Sequence, residues 1–219
     1  MKELKKIFAV CFSMVMILTL CVGCGSGSAP APEASMEAFC QLLIKHDVQS
    51  MKELGIDSKD AKETLSAYES ETKSSLKESF KTADVSVTDA DINKVYSAID
   101  KAMKNLEYTV SVTKSDDKQA TIKVETQTLD YVTIIKKAKS TTVDSLKSEH
   151  IETKEDAKNL FITNICKGFE NYKPNDEKQS KAFVFTKQNV KTGSDKISLY
   201  FPESANKFGS ELIRLVINQ

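Results

Sequence analysis

The chain has no tryptophan, only two histidines, four prolines and seven glycines in 219 residues, and each shortage removes a class of chemistry. His46 and His150 have no second histidine three or four positions away, so a histidine zinc helix is excluded locally. A histidine at a helix end also answers the helix dipole more often than a metal. Three of the glycines fall at positions 23, 25 and 27, and no glycine-rich phosphate loop can be assembled from the rest. The calcium-loop spacing of acids, glycine and a distal glutamate is missing too, so neither metal nor cofactor is expected. Charge of one sign is equally scarce, since Lys+Arg and Asp+Glu are 31 each and interspersed. Bulk charge therefore draws the chain to neither nucleic acid nor anionic lipid. The one long apolar run, Ile7 to Leu20, is about 14 residues, short of the roughly 20 a permanent membrane span needs.

What is present starts at that run. Lys2, Lys5 and Lys6 precede it, and Cys21-Val22-Gly23-Cys24-Gly25-Ser26 follows. A basic head, a short apolar middle and a small-residue exit make an export signal. The exit resembles the lipobox of bacterial lipoproteins, in which a small residue precedes the cysteine that receives a diacylglyceryl group. Cys21 stands where that family usually has an aliphatic residue, and Leu20 lies one place further back. The resemblance implies a leader over residues 1–23, a lipidated mature N-terminus at Cys24, and a protein anchored to the cell membrane facing away from the cytoplasm. Two acyl chains on one residue hold a domain durably, where a single chain would be marginal.

Residues 24–34, with Ser, Ala and two prolines, read as a tether, and ten extended residues reach at most about 35 Å. Residues 35–219 are expected to form one domain, because a chain of roughly 200 residues can bury a sizeable core. The leader removes three lysines and Glu3, so the mature part keeps two more acids than bases. Cys11 and Cys21 leave with the leader, and Cys40 and Cys166 remain. Export would allow those two to pair as a disulfide. Each also lies in an apolar run on a predicted helix, where a buried free thiol is the competing expectation.

Periodicity divides the domain. Met36, Phe39, Cys40, Leu43 and Ile44 recur at helical spacing on one face, Asp47 to Leu54 adds a short turn, and Asp60 to Phe80 is a longer, highly charged helix. Thr88 can cap the next helix, whose stripe runs through Ile92, Val95, Tyr96, Ile99, Met103 and Leu106. At Glu107 the period changes to two, with a hairpin over 108–128 turning at Ser115-Asp116-Asp117-Lys118. Tyr131 to Lys139 is helical, Ser140 to His150 carries no clear pattern, and Thr153 opens a helix ending near Lys173-Pro174. A strand from Phe183 toward Val190, a fourth through Ile197, Leu199 and Phe201, and a last helix complete the chain. Helices gathered before each hairpin predict an α+β fold with helices on one face of an antiparallel sheet of about four strands.

Met36-Glu37-Ala38-Phe39, Lys52-Glu53-Leu54-Gly55, Leu106-Glu107-Tyr108-Thr109-Val110 and Ala120-Thr121-Ile122-Lys123-Val124 carry a further likeness. With the lipobox, they resemble a family of Gram-positive cell-surface lipoproteins whose domain, of unknown function, is related in shape to cystatin-like and nuclear-transport-factor-like folds. The family's tryptophan in the last strand is absent, and Leu199-Tyr200-Phe201 stands in its place. None of these motifs is catalytic. The expected function is non-catalytic binding of a small ligand, a cell-wall component or a protein, in a mouth between the sheet and the helix Thr88 to Leu106, with Tyr96, Tyr108 and Tyr131 as the candidate cleft residues. A hydrolase or isomerase would show instead a buried carboxylate with a raised pKa facing a pocket, and an assembly partner a large exposed apolar patch.

Overall fold

The computed structural model describes residues 29–148 and 153–218, apart from the side chain of Asn206; the leader, Cys24 and His150 lie outside them. Helix α1 (Pro32–Cys40) opens on a proline in its first turn, where the missing N–H costs nothing, three residues before the expected start at Ser35. It continues into a π-helical turn, Gln41–Lys45, closed by the N–H of His46 on the carbonyl of Gln41. Met36, Ala38, Phe39, Cys40, Leu42, Leu43 and Ile44 are all buried. The helix is therefore apolar nearly all round rather than on one face, as befits the centre of a domain.

Helix α2 (Gln49–Glu53) ends at Gly55, whose φ of 89° only glycine adopts without strain. Helix α3 (Ser58–Thr82) is capped by Asp57, whose carboxylate accepts from the backbone N–H of Lys59. At the start of α4 (Asp89–Lys104), Thr88 and Asp91 form a reciprocal capping box, as the sequence suggests. Helix α5 (Tyr131–Ser148) runs well past Lys139, because buried Ala138 and Thr142 extend its inner face and the Thr142 hydroxyl is satisfied by the Ala138 carbonyl. Helix α6 (Lys154–Glu170) starts from Thr153, which accepts from Asp156, and α7 (Ala205–Val216) starts from Ser204. Where α5 and α6 cross, a Cβ on Gly168 would sit 2.6 Å from Cγ2 of Ile134, so the two backbones approach as only glycine permits.

Strands β1 (Tyr108–Ser115), β2 (Gln119–Gln127), β3 (Lys178–Thr192) and β4 (Asp195–Pro202) form one antiparallel sheet in the order β1-β2-β3-β4. Strand β3 starts five residues before the expected Phe183 and serves two partners. Its residues up to Thr186 pair with β2 and those from Phe185 onward pair with β4. Phe183 and Phe185 are buried in the first part, Val190 and Thr192 in the second, so the buried parity changes along the strand. One face of the sheet carries α1, which meets β1, β2 and β4, and α7, which meets β2, β3 and β4. The other face exposes Thr109, Ser111, Ala182 and Val184 to water. The architecture is thus α+β, with helices on one side of a four-stranded antiparallel sheet.

Phe39 holds the two layers together. Its ring meets Phe185, Phe201 and Phe208 edge-on at centroid distances of 5.8, 5.1 and 5.4 Å. Replacement Phe39→Ala should cost about 3–5 kcal/mol in urea unfolding, the range for a deleted core aromatic. Gly168→Ala should cost about 1–3 kcal/mol by overpacking against a stiff β-branched side chain; an unchanged midpoint would show that α5 and α6 can move apart freely.

Candidate functional site

The end of α1 is where polar chemistry enters the core. The π turn delivers Lys45 and His46 toward the C-terminus of α4, and His46 takes a left-handed conformation, φ 54° and ψ 37°. Such a backbone is uncommon outside glycine and, like a π turn, clusters at functional sites. The His46 side chain is only 4% exposed and its Nδ1 lies 2.5 Å from Oδ1 of Asp100, an ion-pair distance that is out of line for an ideal hydrogen bond. Tyr96 Oη reaches the same nitrogen at 3.3 Å, and the Tyr96 ring stacks on the imidazole at 6.1 Å with 10° between planes. Tyr68 closes the other side edge-on at 5.1 Å. Lys104 holds the second oxygen of Asp100 at 3.0 Å, and Lys73 sits 4.8 Å above the Tyr96 ring.

These contacts fix the chemistry of each group. Burial pushes the Asp100 carboxyl up, but the His46 and Lys104 side chains outweigh it and hold it below the ordinary carboxylate range. Burial raises the Tyr68 and Tyr96 hydroxyls far above their usual range. With Nδ1 facing a carboxylate, the proton of a neutral imidazole belongs on Nδ1. His46 Nε2 is then left buried with no hydrogen-bond partner.

A second cluster flanks the first. Tyr108 donates to Glu37 at 2.6 Å, and the Gln41 amide donates to the same oxygen at 3.0 Å. Lys45 donates to the carbonyls of Lys104 and Leu106 at 2.7 and 2.5 Å, closing the C-terminus of α4, with its ammonium 5.9 Å from the Tyr108 ring. Two stretches far apart in the chain, Met36 to Phe39 and Leu106 to Val110, are thereby tied to each other.

The three tyrosines singled out by the sequence are not brought to one mouth. Tyr96 belongs to the His46 cluster, Tyr108 to the Glu37 cluster, and Tyr131 packs against Phe169 at 5.4 Å. The ground between the sheet and α4 is taken by α1, which meets the strands and, through its π turn, α4. Cys40 and Cys166 are free thiols, the first fully buried and the second half-buried. Burial raises both, with help from Glu37 and Glu170 respectively, which is the opposite of an activated nucleophile.

The accessible concavities lie on the helical side. A groove of about 980 Å³ runs between α4 and α6, floored by Ala98, Ile162 and Cys166 and walled by Lys94, Lys101 and Lys167. A smaller apolar groove of about 440 Å³ lies between the end of α3 and helices α5 and α6, lined by Phe80, Ile135, Val143 and Phe161. Neither is lined by His46 or by the three tyrosines. Among the described residues, no group of three or more His, Cys, Asp or Glu could hold a metal ion. Sequence reasoning weighed His46 only as a dipole partner. Its partner Asp100 lies 54 positions on in a charged helix, and spacing along the chain carries no signal for such a pair.

No family model matches the chain, and no curated protein matches it. A solved structure does: the crystal structure of YcdA from Bacillus subtilis, described as a lipoprotein, with a TM-score of 0.64 at 13% identity. The match covers 84% of this chain and 55% of that one, so the chain spans about half the length of the solved protein. The likeness is one of fold.

His46→Ala should destabilise the domain by about 3 kcal/mol, the lower end for breaking a buried pair. Because the folded pKa of Asp100 is depressed, its contribution is complete above its unfolded pKa of about 4 and is lost as pH falls through the folded value. Asp100→Asn should therefore flatten the acid limb of stability against pH; an unaltered limb would show the pair to be energetically silent.

Proposed function

We propose that the protein is a lipid-anchored extracytoplasmic lipoprotein with a non-catalytic binding role, fastened through Cys24 after a leader spanning 1–23. The observation that carries this reading is the Gly23-Cys24 exit behind a basic head and a short apolar run. Three features support it. The fold is shared with a protein described as a lipoprotein. Among the described residues, no helix is long and apolar enough to cross a membrane. Helix α1 begins at Pro32, so eight residues of tether would keep the domain within about 28 Å of the acylated sulfur.

The cystatin-like shape is part of the same proposal, resting on a central helix laid across one face of an antiparallel sheet. In this reading Tyr96, Tyr108 and Tyr131 anchor α4, β1 and α5 to their neighbours, and the ligand, whether a small molecule, a wall component or a protein, uses the groove between α4 and α6. The rival hydrolase or isomerase calls for a carboxylate with a raised pKa at an opening. Asp91, at the groove, is instead held low by the Thr88 backbone N–H, despite opposing burial, and by the Thr88 hydroxyl and Lys158.

Mass spectrometry of protein taken from host membranes should give an N-terminal peptide beginning at Cys24 and carrying a diacylglyceryl group, and Cys24→Ala should abolish that modification. An intact leader, or an unmodified thiol at position 24, would overturn the anchor.

A further inference from the structure

The groove between α4 and α6 differs from the other concave surfaces in how its charges are spent. A small groove beside the end of α3 is lined by Lys77 and Lys81, and both are already paired, with Asp89 at 2.7 Å and Glu78 at 3.3 Å. The apolar groove has a single lysine, Lys139. Along the α4–α6 groove stand three, Lys94, Lys101 and Lys167, and none of them makes an ion pair among the described residues. The acids there do not cancel them. Asp91 is engaged by Lys158 at 3.3 Å and by the N–H and hydroxyl of Thr88 at 3.0 and 2.8 Å, leaving Glu170 as the one uncommitted carboxylate. The amides of Asn93 and Asn159 add neutral donors on both walls.

Shape adds to charge. The α4 wall extends from Ala90 to Lys101, three helical turns or about 16 Å, with Lys94 and Lys101 two turns apart on one face. That is a trough for something elongated. The floor is small or apolar, so a chain lying in it meets cations at intervals along its length and loses little hydration from below. Selectivity for phosphate over carboxylate follows from the donors, because tetrahedral phosphate oxygens can accept from lysines and amides on both walls at once. The mature chain is net acidic, so attraction of an anion has to be local to this trough.

We propose that the α4–α6 groove binds a linear phosphate-bearing polyanion, with Lys94, Lys101 and Lys167 contacting successive phosphates and Asn93 and Asn159 donating to their free oxygens. The inference rests on the groove being the binding surface of a tethered, non-catalytic domain. It gives that domain a ligand class found outside the cytoplasmic membrane wherever phosphodiester-linked polymers are laid down.

The test uses the full-length acylated protein in phosphatidylcholine nanodiscs, titrated with medium-chain inorganic polyphosphate by calorimetry at several salt concentrations. Binding is expected to weaken with a slope of about −2 in log K against log salt, three contacts at roughly 0.7 each. The triple variant K94A/K101A/K167A should lose affinity by about tenfold or more and most of the salt slope. K136A/K137A/K139A, on α5 outside this groove, should bind as the parent does. Ser97→Trp, which fills the trough from α4, should also abolish binding while melting as the parent does. Equal losses in the two lysine variants, equal affinity for polyaspartate of matched charge, equal affinity for monomeric phosphate, or no binding at all would each overturn the assignment. The mass of the Cys24 peptide is unaffected by any of these results, so the anchor and the ligand class fail separately.

Discussion

Edge-on contact of one ring, Phe39, with three others is the constraint from which the rest of the domain follows. Phe185 comes from β3, Phe201 from β4 and Phe208 from α7, so a single side chain on α1 fixes the central helix against both halves of the sheet and the C-terminal helix. Phe208 closes the cluster by meeting Phe183 and Phe185 at 5.1 and 5.3 Å. A small α+β domain without disulfides must draw its stability from such burial. Here the first helix after the tether supplies the middle of the core, so the order of the membrane-proximal end and the order of the sheet are one event.

Around that centre, polar groups are admitted only where they join elements. Lys45 closes the end of α4, His46 meets Asp100, and Glu37 receives Tyr108 and Gln41. Each link spans a long sequence separation and each is partly or wholly dry, which raises its specificity more than its net stability. The uncommitted cations lie elsewhere, on the helical side at α4 and α6. The structure therefore separates a rigid, satisfied interior from an outer trough whose charges are available.

Much of the fold was legible in the residues. Thr88 and Thr153 marked helix starts that the structure shows, and the switch of period at Glu107 marked β1 and β2. Other boundaries were hidden for identifiable reasons. Helix α5 continues through Ser140 to Ser148 because Thr142 hides its hydroxyl in a bond to Ala138 and accepts from Asn164, so a polar letter occupies a core position. Strand β3 changes its buried parity where its partner changes, which erases the alternation by which strands are recognised. Helix α1 reads as one-sided because Ala38 and Leu42 complete its circumference only once a sheet and another helix lie on opposite sides. The candidate site was less legible still: the groove is written across two helices whose facing residues lie more than 50 positions apart, and no local pattern announces it.

The π turn at Gln41–Lys45 has one more implication. It amounts to a single residue more than an ideal helical repeat would hold, and each residue advances an α-helix by 100°. Excising one letter there would keep Phe39 in place yet swing everything after it by more than a quarter turn, aiming the imidazole away from α4 and drawing Ile44 out of the interior. The bulge therefore acts as a phase shifter, letting one continuous segment obey two incompatible sets of neighbours.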